Sequence, residues 1–336
     1  GGNFLSGSML WGKGGQPASA VRIDLTSLCS GNVPGHLLYT LESETLCGLL
    51  SVENSGEHER RLWNNNQVKI RHLSLSPDGD LACGVENQNG TANIGVMLYE
   101  NSGLSEITEG DSFDTAPNWV IGKKRELVFQ SAGVGRTKDG HAAGFGPFHI
   151  QKLVMATGDL TTLLEDPTLD FLCPRMTSDG TLYCIQRPHE TGRSVKPLSV
   201  IKDIALFPFH LIWAIFQFLN YFSMLFGAKK LTPSAPSPAQ TKQLDPKQMM
   251  LWGNLIQAQK EDKSGKAQAV VPRSWKLIRK KPGQDPEILA HSVACFDIGA
   301  DETIVYSDGN KILSLKDGKE TLLGEDELIE QIALLL

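Results

Sequence analysis

The chain has no Gly-x-Ser-x-Gly elbow, no His-Glu-x-x-His pair, no complete Gly-x-x-x-x-Gly-Lys-Ser/Thr phosphate loop, and no dinucleotide-binding fingerprint. The usual sequence signatures of serine hydrolysis, zinc hydrolysis, nucleoside-triphosphate chemistry and nicotinamide or flavin redox are therefore missing. Cysteine is sparse. Its six residues show neither Cys-x-x-Cys spacing nor clustering with His, so neither a zinc ribbon nor a dithiol motif is written here. Most lie in apolar runs such as Leu81-Ala82-Cys83 and Leu182-Tyr183-Cys184, where a free thiol packs as a small hydrophobe. One disulfide, Cys173 to Cys184 across the hairpin between them, is left open by the spacing. His141 and His149 flank the glycine-rich stretch 133–146 without a carboxylate or thiol at ligand spacing. No cofactor and no metal are expected. The folded body lacks a basic stacking platform, so nucleic acid is not an expected partner.

Charge is unevenly spread along the 336 residues. The net value of −6 hides a basic segment: from Arg187 to Lys281, 16 Lys and Arg stand against five acids, while the rest carries 16 bases and 33 acids. An acidic body with one basic segment suits an anionic counterpart for that segment; solvation of a long loop is the alternative.

A recurring unit organises the rest. Leu75-Ser-Pro-Asp-Gly-Asp-Leu-Ala-Cys83, Met176-Thr-Ser-Asp-Gly-Thr-Leu-Tyr-Cys184 and Phe296-Asp-Ile-Gly-Ala-Asp-Glu-Thr-Ile-Val-Tyr306 each join a tight turn to an apolar strand. Trp119–Phe129 keeps the rhythm with a changed turn. Pro or Ser initiates such a turn, Asp bonds its own backbone, and Gly accepts positive φ. A second hairpin follows each time, as in Ile94–Thr108, Ile150–Leu164 and Lys311–Leu323. Four short strands per unit are the pattern of a propeller blade. Ser76 to Val120 is 44 residues, Val120 to Thr177 is 57, and Thr177 to Gly299 is 122, or one blade plus an insertion. The expected fold is all-β: a β-propeller of about six four-stranded blades with a helical insertion in one blade. Its divisions are 1–193 (first part of the propeller), 194–270 (insertion) and 271–336 (closing part). In the first 65 residues strands are expected near Phe4–Trp11, Ala20–Leu25, His36–Leu41 and Thr45–Val52. The run Leu328–Leu336 is expected to be a buried strand that closes the ring.

These units resemble the propeller repeats of the TolB type, in which an apolar strand leads into Ser-Pro-Asp-Gly. Ser76-Pro77-Asp78-Gly79 matches outright and Ser178-Asp179-Gly180 in part, while the copies at 120 and 299 depart from the pattern. The resemblance covers residues 66–190 and 272–325 and implies architecture rather than function. Nothing in the chain resembles that family's separate N-terminal domain.

Between the strand ending near Gln186 and Trp275–Arg279 lies a nearly unbroken apolar run, 204–228. Leu206, Phe207, Phe209, Leu211, Ile212, Trp213, Ile215, Phe216, Phe218, Leu219, Phe222, Leu225 and Phe226 fall within it, with Lys202 before and Lys229 and Lys230 after. The length is enough to span a bilayer. If the insertion joins neighbouring strands of one blade, however, both its ends leave on the same side, and a single crossing would strand the last blade. Its wide apolar stripe and narrow polar seam (His210, Gln217, Asn220, Tyr221, Ser223) suit a helix lying in the membrane interface. A helix packed on another chain is the competing reading. A Pro/Ser linker follows, then a second short helix expected over 245–260, capped by Asp245 and Pro246, with Met249, Trp252 and Ile256 on one face.

The expected function is a non-catalytic, membrane-associated propeller that acts as a protein-interaction or scaffolding subunit. Its expected partners are an anionic membrane surface, on the cytoplasmic rather than the periplasmic side, and other protein subunits. Contacts are expected through the residues of 204–228, Lys229 and Lys230, with Phe145 and Phe148 from the loop 133–148 beside the insertion's base. The alternative is a propeller enzyme of hydrolase or cyclase type with a site at the channel mouth. There Asp111, Asp114 and Asp170 sit in loops entering the innermost strands, and solvated loop acids are the plainer explanation of all three.

Overall fold

The computed structural model describes residues 23–98, 101–189, 248–251, 254–257, 269–299 and 301–335. Those residues are all-β, and their main body is five consecutive four-stranded antiparallel sheets, the blades of a propeller. Blade 1 holds β1 (Asp24–Ser30), β2 (His36–Glu42), β3 (Cys47–Glu53) and β4 (Arg60–Asn65). Blade 2 holds β5 (Lys69–Leu75), β6 (Leu81–Glu86), β7 (Ala92–Leu98) and β8 (Asn101–Glu106). Blade 3 runs through β9 (Thr115–Trp119), β10 (Glu126–Ser131), a small hairpin of β11 (Val134–Arg136) and β12 (Ala142–Phe145), then β13 (His149–Val154) and β14 (Asp159–Leu164). In blade 4, β15 (Leu169–Met176) and β16 (Leu182–Pro188) precede a hairpin of β17 (Gln248–Leu251) and β18 (Asn254–Gln257); β19 (Lys276–Lys280) and β20 (Glu287–His291) complete the sheet. Blade 5 comprises β21 (Cys295–Ile298), β22 (Ile304–Ser307), β23 (Lys311–Lys316) and β24 (Lys319–Glu325).

The repeat read from the sequence is a repeat of one hydrogen bond. The backbone N–H groups of Ser76, Val120, Thr177 and Gly299 each donate across the first turn of their blade, to Asp80, Glu126, Thr181 and Thr303. Gly79 and Gly180 take φ of 90° and 88° in these turns, a region costly for other residues. In blade 5 Glu302 stands in the glycine's place, at φ 61°. Asp179 binds its own turn through Thr177 Oγ1 and the Thr181 N–H and Oγ1. Blade 1 carries the same bond, Gly31 N–H to the His36 carbonyl at 2.7 Å, in a turn without the Asp-Gly signature.

First strands of neighbouring blades touch in the order β1, β5, β9, β15, β21 and form the inner wall. Alternating side chains fill the wedges between blades. Ile70, Leu73, Leu81, Cys83 and Val85 belong to the wedge between blades 1 and 2, and Ile94, Trp119, Leu127 and Phe129 to the next. Val128, Ile150, Phe171 and Ile278 pack between blades 3 and 4; Leu172, Ile185, Leu277, Phe296 and Tyr306 between blades 4 and 5. Each large apolar side chain fully removed from water here contributes about 1.5–3 kcal/mol. Polar stitches cross the same interfaces: Leu73 N–H to Ser27 Oγ (2.9 Å), Trp119 Nε1–H to the Ser74 carbonyl (3.0 Å), and Cys173 N–H to Gln130 Oε1 (2.8 Å). All six cysteines are free thiols.

The seam between blades 5 and 1 is built differently. Among the described residues no apolar cluster of its own fills it; residues 326–335 bridge it instead. The Ile329 N–H donates to the Gly309 carbonyl (2.7 Å) and the Leu334 N–H to Asp297 Oδ2 (2.8 Å), tying the segment to blade 5. The Gln331 amide then accepts from the Leu28 N–H (3.1 Å) and donates to the Leu28 carbonyl (2.9 Å) on β1. The segment links blade 5 to blade 1, but not as the expected strand: among the described residues a side-chain amide stands in for a backbone ladder.

Two further expectations change. Five blades stand among the described residues, where about six were expected of the whole chain; blade 3 adds the β11–β12 hairpin, and residues 326–335 form no blade strand. The short helix expected over 245–260 is replaced within 248–257 by the β17–β18 hairpin, in which Met249 pairs with Ile256 and Leu251 with Asn254. The seven-residue spacing of Met249 and Ile256 satisfies a helical face and a hairpin pair alike. In sequence terms, Gly253 would cost a helix about 1 kcal/mol relative to Ala. The apolar run 204–228 lies outside the described residues, and no helix among the described residues is long and apolar enough to cross a membrane.

Candidate functional site

Strands β16 and β19 are hydrogen-bonded neighbours, with Gln186 opposite Lys276 and Cys184 opposite Ile278. The insertion thus leaves after His189 and returns before Lys276 at adjacent points on one face. Loops joining second to third strands, and each blade to the next, share that face; the Asp78 and Asp179 turns lie on the opposite one.

Both feet of the insertion are locked into the core. Asp170, at the start of β15, accepts from Arg187 Nε (3.0 Å) and the Phe148 N–H (3.0 Å), and pairs with His189 Nδ1 (2.7 Å). The Arg187 and Asp170 side chains are only 5% and 3% exposed. The Arg187 guanidinium lies 4.8 Å above the Trp275 ring, so exit and return strands are clasped by one cation–π contact. On the return side Val270 and Val271 are buried, and their N–H groups donate to the Asp308 carbonyl at 3.0 and 3.4 Å. A buried carboxylate paired with a buried guanidinium and satisfied on both oxygens is a structural clasp rather than an open ligand.

The loop 132–148 lies on the same face. Phe145, 41% exposed, packs against Phe113 at 4.6 Å between ring centroids and against Phe148 at 6.0 Å. Phe148 is buried in the same cluster as Val270, Val271 and Trp275. Arg136 of β11 holds the exposed Asp111 through Nε at 2.8 Å and donates to the Asn89 and Gly140 carbonyls. That hydrogen bond keeps the Asp111 carboxyl below its ordinary range. Asp114 is buried and accepts from Ser131 Oγ at 2.7 Å. The three acids expected at the channel mouth are thus each engaged by a protein partner of their own. Phe207, Phe209, Ile212, Trp213, Phe216, Phe218, Leu219, Phe222, Leu225, Phe226, Lys229 and Lys230 lie outside the described residues.

Sequence reasoning missed the channel's polar ring. Two residues before the first turns of blades 2 to 5 stand Ser74, Asn118, Arg175 and Asp297, all polar, whereas blade 1 has Cys29 at the matching place. Asn118 Nδ2 donates to Ser74 Oγ (3.2 Å) and Arg175 Nε to Asp297 Oδ1 (3.3 Å), so the ring links blade 2 to 3 and blade 4 to 5. The fixed offset from the turn was the available signal. His72 lines the same wall; burial, with Arg71 and Arg175 nearby, lowers its pKa to about 4. Burial also pushes Cys29, Cys83 and Cys173 up to about 12, so these thiols stay protonated at neutral pH. Among the described residues no group of three or more His, Cys, Asp or Glu side chains is placed to hold a metal ion.

No protein-family model matches the chain, and no curated protein matches it in sequence. Solved structures do. The chain is a β-propeller whose fold resembles TolB: TolB from Acinetobacter baumannii superposes over 92% of this chain and 56% of its own, at 12% identity and a TM-score of 0.50. The tricorn protease aligns over 90% of this chain and 26% of its own (9% identity, TM-score 0.49). A chain of a nidogen/laminin complex aligns over 89% and 81% (10% identity, TM-score 0.46). The chain therefore spans about a quarter of the tricorn protease's length and just over half of that TolB's.

Proposed function

We propose that this chain is a non-catalytic propeller held at an anionic membrane surface by the apolar segment of its insertion, serving there as a protein-interaction or scaffolding subunit. The observation that carries the reading is the pairing of β16 with β19: an excursion that starts and ends side by side must return to the face it left. An apolar run of the length of 204–228 in such an excursion suits a helix lying in the interface, with Lys202, Lys229 and Lys230 toward anionic headgroups. The clasp of Asp170, Arg187, His189 and Trp275 would join any such anchor rigidly to blade 4. The basic flanks favour the cytoplasmic side.

The test is co-sedimentation of the full chain with vesicles. Binding is expected to phosphatidylcholine vesicles containing about a third phosphatidylserine, and to weaken with salt. Lys229→Glu with Lys230→Glu should weaken it at least thirtyfold, since each basic residue near such a surface contributes about 1 kcal/mol. Equal binding of the charge-reversed variant at all salt concentrations would point to a helix packed on protein and sink the membrane reading.

A further inference from the structure

We infer that the cleft between blades 4 and 5 receives an extended, apolar segment of a partner protein carrying Lys or Arg. This deepens the scaffold reading by naming a surface and a partner chemistry, and it rests on that reading only for its setting. The cleft measures about 720 Å³, within the range of roughly 300–1,000 Å³ common for binding pockets. Its lining includes the β21–β22 and β23–β24 turns, Asp301-Glu302 and Asp317-Gly318. It therefore opens on the face opposite the insertion and stays accessible when the insertion is engaged.

Part of the lining is apolar. Tyr183, Ile304 and Leu315 are buried members of the wedge between blades 4 and 5, and Ile288, 47% exposed, stands at the lip. A large aliphatic or aromatic side chain entering here would meet core atoms and cover Ile288. The rim sets the sign of the partner. Arg279 is neutralised by Glu287 (2.7 Å) and Lys316 by Asp301 (2.5 Å). Glu302, Asp317 and Glu320 remain with no salt bridge among the described residues, and Glu320 accepts only from the neutral Tyr306 hydroxyl, at 2.6 Å. Three uncompensated negative charges beside these apolar side chains attract a cation on an apolar carrier and repel an acidic one. An extended partner is favoured because β20, which supplies Glu287, Ile288 and Leu289 to the cleft, is the last strand of its sheet. Its outer backbone groups can pair with an added strand.

The experiment titrates the full chain with a fluorescein-labelled hexapeptide of alternating Lys and Leu, read by anisotropy, with alternating Glu and Leu as control. Glu302→Gln with Asp317→Asn changes only exposed turn carboxylates, and Ile288→Ser only the lip. Thermal midpoints close to the parent's establish that these variants are folded. The Lys/Leu peptide should bind, the Glu/Leu peptide should not, and each variant should weaken binding about tenfold. Binding that ignores both variants, or is the same for both peptides, overturns the cleft; so does no binding by the parent. Vesicle sedimentation of the same proteins separates the two readings. Variants that lose the peptide yet sediment like the parent confirm the cleft. A parent that binds peptide but not vesicles leaves the cleft standing and removes the membrane anchor.

Discussion

Replacing Gln331 by Ala removes both hydrogen bonds that its amide makes to the Leu28 backbone, and with them a direct link from the trailing segment to blade 1. The site is half-buried, so water recovers the stranded Leu28 groups only in part. Two bonds at about 0.5–1.5 kcal/mol each give an expected loss of about 1–3 kcal/mol. At about 2.1 cal/mol/K per residue, each kcal/mol shifts the thermal midpoint of a chain this long by roughly 1–2 °C, so it should fall by a few degrees. The location of the effect matters more than its size. Four wedges hold blades 1 to 5 in sequence, whereas the seam between 5 and 1 depends on the bridging segment. Amide hydrogen exchange should therefore quicken in β1 and β21, while Leu172, Ile278 and Leu127 keep the parent's protection. Gln331→Glu keeps the acceptor and loses the donor, and should fall between parent and Ala in urea unfolding. If Gln331→Ala changed stability by less than about 0.3 kcal/mol, or raised exchange evenly around the ring, the segment would be packing debris rather than the closure.

His72 stays neutral to about pH 4 in the fold, whereas an unfolded His titrates near 6.5. The unfolded chain thus binds the extra proton between those values, and stability should fall as pH drops from about 6.5 to 4, by up to about 3 kcal/mol, and stay flat above. His72→Gln should remove that part of the slope in urea midpoints, and a slope unchanged in the variant contradicts the assignment. Asp170→Asn removes the carboxylate charge that Arg187 and His189 face in the core and should cost about 3 kcal/mol; a loss under about 1 kcal/mol would mean the clasp contributes little to the fold. Deleting Ser194 to Lys266 behind a short Gly/Ser link should leave a cooperatively unfolding β-rich propeller, because β16 and β19 already pair and loop length alters stability slowly. A non-cooperative transition by circular dichroism would place the insertion inside the core.

Much of the architecture was legible because a tight turn constrains its residues more than a strand does. Ser76 and Thr177 were aligned from turn chemistry, Val120 and Gly299 from the rhythm of the apolar strands around a changed turn, and each donates the same hydrogen bond. The blade 1 turn escaped because Gly31-Asn-Val-Pro-Gly35 lacks the Asp-Gly pair that marks blades 2 and 4 and was not set in register by the repeat spacing, although His36–Leu41 and Thr45–Val52 fall on β2 and β3. Local pattern fails where partners are distant in sequence. Nothing near Gln331 announces Leu28, and nothing near Asp170 announces His189 and Trp275. The hairpin 248–257 was misread for the opposite reason, since its short apolar spacing fits two periodicities at once.

The position of the insertion also sets an order of events during synthesis. After Pro188 leaves the ribosome, blades 1 to 3 and the inner half of blade 4 are available, but β16 awaits its partner β19 until 87 further residues, 189–275, have been added. At about 5–20 residues per second that is an interval of roughly 4–17 s, long against the microseconds in which a hairpin forms. The apolar run 204–228 emerges early in this interval, and the strands that complete blades 4 and 5 emerge last. Order of emergence therefore lets the apolar segment find its environment before the ring is sealed, and leaves the exposed edge of β16 as the point where a chaperone would be needed.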